Sequence, residues 1–296
     1  MSARTSNTMT LATGVTSPFI YGNWINGTGT TLSGTGTLTF AGRGSQTLTN
    51  AARTFTQQLT TNSPSGSVTL QDAFTSNNST AAAIALTAGT FDANSYNVSL
   101  TGSASGFNGS FSNIRTLAIG SGTWTIAGTG NFSVGATAVL LTVTGTGTIS
   151  MTSASAKTFT GGSVSYSGIT LNQGGAGALT ISGNNTFKNI TNTYSATGAT
   201  NITIGNTTQT VTQFTGTGTV GKVLTIQGTS ASSPGTLILS SGTVTTPDYL
   251  AITGVRAYNL SSTWYAGANS TNNGSLGWIF SAGATGSGGK FFLMFG

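Results

Sequence analysis

Short segments in which apolar and hydroxyl-bearing residues alternate recur along this chain, and that pattern limits the fold more than any other feature. Examples are Leu38-Thr39-Phe40, Val68-Thr69-Leu70, Thr123-Trp124-Thr125-Ile126, Leu141-Thr142-Val143-Thr144, Leu179-Thr180-Ile181 and Ile202-Thr203-Ile204, each set between Gly, Asn or Ser turns. A period of two puts the apolar side chains on one face of a strand and the hydroxyls on the other. Threonine is stiff at its branched β-carbon and packs well on a pleated surface, while glycine supplies corners with positive φ. Strands of three to six residues separated by such turns predict an all-β chain: a sandwich, a barrel or a solenoid.

Internal similarity favours the solenoid. An aromatic residue followed three positions later by isoleucine, and then by Thr or Arg, occurs at Phe111/Ile114, Tyr166/Ile169, Phe187/Ile190 and Tyr249/Ile252. The middle pair is 21 residues apart, the outer intervals are 55 and 62, and periods of roughly 20 to 50 residues mark solenoids. Stacked coils about 4.8 Å apart would align these positions as interior ladders. The expected fold is a right-handed parallel β-helix with capping segments; β-sandwich or jelly-roll modules are the alternative. Three zones follow: an N-terminal anchor or cap over 1–35, solenoid repeats over 36–256, and a Trp-rich cap with an apolar docking tail over 257–296.

The two ends carry the residues expected to dock. The first zone holds Phe19, Tyr21 and Trp24 in an aromatic cluster. The last ends on Phe291, Phe292, Leu293, Met294 and Phe295, placed after a Gly/Ser-rich stretch. Burying each such side chain is worth about 1.5–3 kcal/mol, so a run of five calls for a covering surface, on this chain or on a partner.

Composition removes whole classes of chemistry. There is no His, no Cys and no Glu, and only 4% of residues are charged. A Ser-His-Asp triad, a thiolate nucleophile, a His-ligated metal and a disulfide framework are therefore all excluded, and no cofactor is expected. Asp72, Asp92 and Asp248 are the only carboxylates. Asp72 and Asp92 lie about one coil apart, as a glycosidase pair would, but turn capping is the simpler role for each. The nine Lys and Arg residues are scattered singly, which does not make the basic stripe nucleic acid requires. No apolar run is long enough to cross a membrane as a helix. The N-terminal residues lack the apolar core and cleavage site of a secretory signal, so synthesis in a cytoplasm is expected.

One resemblance adds to this. The segments Ser67–Asp72, Leu86–Asn94 with Tyr96–Val98, Arg115–Leu117 with Gly120–Thr125, and Thr263–Ser270 with Gly277–Phe280 together resemble a group of proteins encoded in tailed-phage and environmental viral genomes. The resemblance implies a virion structural protein of β-helix type, such as a capsid decoration protein, head fibre, tail fibre or tailspike-like solenoid, commonly a homotrimer. The expected partners are copies of the chain, other virion proteins of capsid or tail, and a host surface glycan, with no nucleic acid and no membrane insertion. A tailspike-like polysaccharide-binding or -cleaving protein and a bacterial surface adhesin are the alternatives. Thr-x-Thr pairs such as Thr35/Thr37 and Thr146/Thr148 also invite an ice-binding reading, which their irregular spacing disfavours.

Overall fold

The computed structural model describes residues 9–13, 18–128, 131–135, 138, 140–244, 247–259 and 263–280. The chain winds into a parallel β-solenoid of about ten coils. The strand pairs are parallel, and among the described residues the one helical element is a single 3-10 turn, Tyr194–Ala196.

Each coil carries three short strand faces, and one early coil shows them clearly: Thr37–Phe40, Ser45–Thr49 and Thr54–Phe55. In the next coil the long strand Gln58–Leu70 turns a corner and serves two faces, pairing with Thr37–Phe40 through its first half and with Ser45–Thr49 through its second. Phe74–Ser76 then supplies the third face. Coil length is not constant: register partners are 20 residues apart at Phe19↔Thr39, 27 at Phe132↔Phe159 and 28 at Thr208↔Thr236.

Alternation in the sequence becomes columns in the core. On the first face Leu38, Leu59, Ile84, Phe107, Phe132, Phe159 and Ile181 stack in register, all buried. Phe107, Phe132 and Phe159 lie ring on ring, with centroids 4.8 and 4.7 Å apart and planes within 18° and 7° of parallel. That spacing is the strand separation itself, and each stacked pair adds about 0.5–1.5 kcal/mol beyond its burial. The third face runs Phe74, Val98, Trp124, Ile149, Leu171, Ile190, Phe214. Threonines at the alternate positions, Thr158, Thr180 and Thr203, form an outward column on the first face.

Buried polar side chains tie neighbouring coils together. Gln46 donates to the carbonyls of Ile20 and Gly22 and accepts from the Gly42 amide at 2.9 Å. Asn172 donates to Ser150 Oγ one coil before it and to Thr193 Oγ1 one coil after it, both at 2.9 Å. Gln46 and Asn172 thus meet across the stack the hydrogen-bonding demand that burial imposes on an amide.

The aromatic-x-x-Ile repeat holds at one interval and fails at two. Tyr166 and Phe187 are true rungs, paired in register with rings stacked at 5.4 Å. Phe111 instead lies in a corner loop between Phe107–Asn108 and Arg115–Ala118, and Ile114 beside it is 75% exposed. Tyr249, half-buried with φ +51, precedes the strand Leu250–Thr253 and is not in the Phe187 column. Extra residues in the corners displace the spacing while the strands stay in register. Near the ends of the stack, Thr30–Gly34 pairs with Met9–Thr13, and Val255–Asn259 pairs with Gly235–Leu239.

Candidate functional site

Among the described residues, the N-terminal coil, Met9–Thr13 with Phe19–Ile20 and Trp24–Ile25, pairs with later strands on one side only. A strand edge of this kind is a template for further pairing. Two of its aromatics face outward. Phe19 and Tyr21 are 61% and 72% exposed, and their rings stack at 6.4 Å and 28°. They form a small apolar platform at the end of the stack. Trp24 does not join them. Its side chain is buried in the first coil, 6.4 Å from the Phe55 ring, and its indole N–H donates to Asn26 Oδ1 at 3.0 Å. The aromatic cluster thus separates into an outward pair and an inward cap, because strand alternation sends neighbouring residues to opposite sides.

At the other end the tryptophans close the core. Trp264 pairs with Trp278 in register, their centroids 4.9 Å apart, and both pack against Phe214 at 5.4 and 6.4 Å. Each indole N–H reaches a backbone carbonyl, Tyr258 for Trp264 and Val255 for Trp278. Phe291, Phe292, Leu293, Met294 and Phe295 lie outside the described residues.

The carboxylates hold turns. Asp72 accepts from the amides of Asn50 and Ala51, both at 2.6 Å, across one coil. Asp92 accepts from the Asn94 amide at 2.7 Å, in its own turn, and its register partner is Thr69 rather than Asp72. Asp248 accepts from the amides of Tyr249 and Asn269 and from Asn269 Nδ2 at 2.7 Å. Burial pushes the Asp248 carboxyl up, but the hydrogen bonds from Asn269, Tyr249 and Ser270 outweigh it and hold the group below the usual carboxylate range. No group of three or more His, Cys, Asp or Glu that could hold a metal ion occurs among the described residues.

Two cations are turned inward. Lys157 stacks in register with Leu179 and is buried; its Nζ donates to the carbonyl of Ser153 at 3.1 Å and to that of Gly177. Burial lowers its pKa to about 8. Arg115 is also buried, with Nη1 donating to the Asn113 carbonyl at 2.5 Å, and desolvation lowers its pKa. Alternation alone places both side chains inside: Lys157 precedes outward Thr158, and Arg115 precedes Thr116. No helix among the described residues is long and apolar enough to cross a membrane. No protein-family model, no curated protein and no solved structure matches the chain.

Proposed function

We propose that this chain is a structural subunit on the exterior of a phage-like particle, a capsid decoration protein, head fibre or tail fibre that attaches through its ends. The observation that carries this reading is the exposed Phe19–Tyr21 pair on a coil whose strands, among the described residues, are paired on one side only. A stacked apolar pair at an open strand edge favours a protein partner over water. Supporting it are the viral resemblance and the apolar sequence Phe291–Phe295, a second element suited to burial against another particle protein. Assembly as a homotrimer is the arrangement the resemblance implies. The three carboxylates, each engaged in turn hydrogen bonds, fit a mechanical role better than glycan cleavage.

The test is to image particles carrying the wild-type chain and a Phe19→Ser/Tyr21→Ser variant. Wild type is expected at regular positions on the outer surface, hundreds of copies for decoration and far fewer for a fibre. The variant is expected to fold with an unchanged melting temperature, since both residues are exposed, and to be missing from particles. Wild-type chain absent from purified particles would refute the proposal.

A further inference from the structure

The corner between the first and second faces changes character midway along the stack. In Gln58–Leu70 and Ile84–Asp92 the chain turns it inside one continuous strand, with register shifts on either side of Ala88. In the next two coils the chain leaves the ladder after Phe107–Asn108 and after Phe132–Ser133, and rejoins it only at Arg115–Ala118 and Leu141–Thr144. The tight corners and the loose ones together enclose a groove of about 650 Å³. A second hollow of about 400 Å³ adjoins it, sharing Ser112 and Asn113 and lined also by Phe111 and Val134.

Close backbone approach makes the floor. A Cβ at Gly89, where φ is +81, would lie 2.0 Å from the Ser63 carbonyl oxygen, and one at Gly66 would lie 2.6 Å from that of Gly42. Only glycine lets these corners nest. Ser65 and Leu140 on the walls adopt φ +65 and +62, conformations that cost L side chains energy and that cluster at binding sites. Bulged strands have the same association. The Ser112–Asn113 ridge between the hollows is held from both sides: buried Arg115 donates to the Asn113 carbonyl, and Asn113 Nδ2 donates to the Thr87 carbonyl at 3.1 Å.

We propose that this double hollow binds a neutral oligosaccharide. Its volume falls in the usual range for ligand sites, roughly 300–1,000 Å³. It crosses four coils, a length of about 14 Å at the strand spacing, which suits a linear chain of a few sugars. Every lining residue among those described is uncharged, so an anionic glycan or a phosphate would find no charge-assisted partner there. Asn62, Asn113, Thr90 and Thr116 offer amides and hydroxyls that both donate and accept, the complement of a polyol. Ile114 and Leu140, 75% and 55% exposed, and the half-buried Phe111 ring give apolar surface for the C–H faces of sugar rings. An extended peptide is a poorer fit: the strands flanking the groove are already paired, leaving no edge to extend.

The experiment screens the purified chain on an array of neutral and acidic microbial oligosaccharides and titrates the best neutral ligand calorimetrically. Wild type is expected to bind a neutral glycan at one site. Asn113→Ala/Ile114→Ala is expected to weaken it about tenfold or more, with a slightly lower melting temperature from loss of the Asn113–Thr87 hydrogen bond, and Ser112→Trp to block it with the melting temperature unchanged, because Ser112 is exposed. No neutral glycan bound, binding confined to acidic glycans, or full affinity in both variants would overturn the assignment. So would sedimentation showing that the variants dissociate an oligomer, since the groove would then be a contact between chains. None of these outcomes depends on where the chain sits on a particle.

Discussion

Lys157 and Asp248 are the two titrating groups whose protonation bears most directly on folding, and both make stability rise with pH, in windows at opposite ends of the pH scale. Lys157 has a folded pKa of about 8 against an ordinary 10.5, so the unfolded chain binds more protons between these values and stability rises with pH across that window. Below about 8 the folded state carries the full cost of a buried ammonium. Tyr166, buried with its hydroxyl donating to the Gly161 carbonyl, is pushed above its ordinary 10.0 and reverses the trend beyond that point. Urea midpoints measured from pH 7 to 10 are therefore expected to climb for wild type and to stay flat for Lys157→Met. Asp248 has the depressed pKa of a hydrogen-bonded carboxylate, so its contribution is present above its unfolded value of 3.8 and is lost as pH falls through the lower folded one. Because it clasps Asn269 in the following coil, acid is expected to loosen the Trp264–Ile279 end first, seen as faster amide exchange there. Asp248→Ala should show that faster exchange already at neutral pH.

At the scale of elements, the phenylalanines test which repeats are structural. Phe132 is fully buried between Phe107 and Phe159, so Phe132→Ala removes two stacked contacts and leaves a cavity, at about 3–5 kcal/mol. Phe111→Ala changes a corner loop and is expected to cost under about 1 kcal/mol. Equal costs in chemical denaturation would mean that Phe111 belongs to the core column after all. The contrast also shows what the sequence made legible. Alternation at Leu38-Thr39-Phe40 or Leu179-Thr180-Ile181 is a property of a single strand, so the strands and their inward faces could be read directly. The groove could not, because it depends on how residues far apart in sequence, from Asn62 to Leu140, nest at one corner. The spacing of 55 that did not fit the repeat was the one trace of it: the surplus residues lie in the corner loops. Trp24 and Phe19 posed a related problem, since an aromatic cluster in sequence does not say which members the strand turns inward.

For the whole molecule, the decisive property is that each coil contacts chiefly its neighbours, which makes the stack nearly one-dimensional. Stability is then close to a sum of coil and interface terms, and among the described residues the N-terminal coil is paired on one side only. The columns around Phe107, Phe132 and Phe159 are expected to exchange their amides most slowly, with protection declining toward Met9–Thr13 and less steeply toward the tryptophan cap, where Trp264 and Trp278 bury the last rungs. Uniform protection from end to end would show one cooperative block instead. Salt gives an independent check on what holds the stack together. With only three acidic residues in 296, attraction between opposite charges contributes little that salt can screen, whereas apolar burial is strengthened by kosmotropic ions. Raising sodium sulfate from low to molar concentration is expected to raise the melting temperature steadily, and sodium chloride at equal ionic strength to move it far less. A marked fall in either salt would mean that scattered charges such as buried Lys157 and Arg115 hold the coils together more than the hydroxyl-faced, aromatic-cored ladders do.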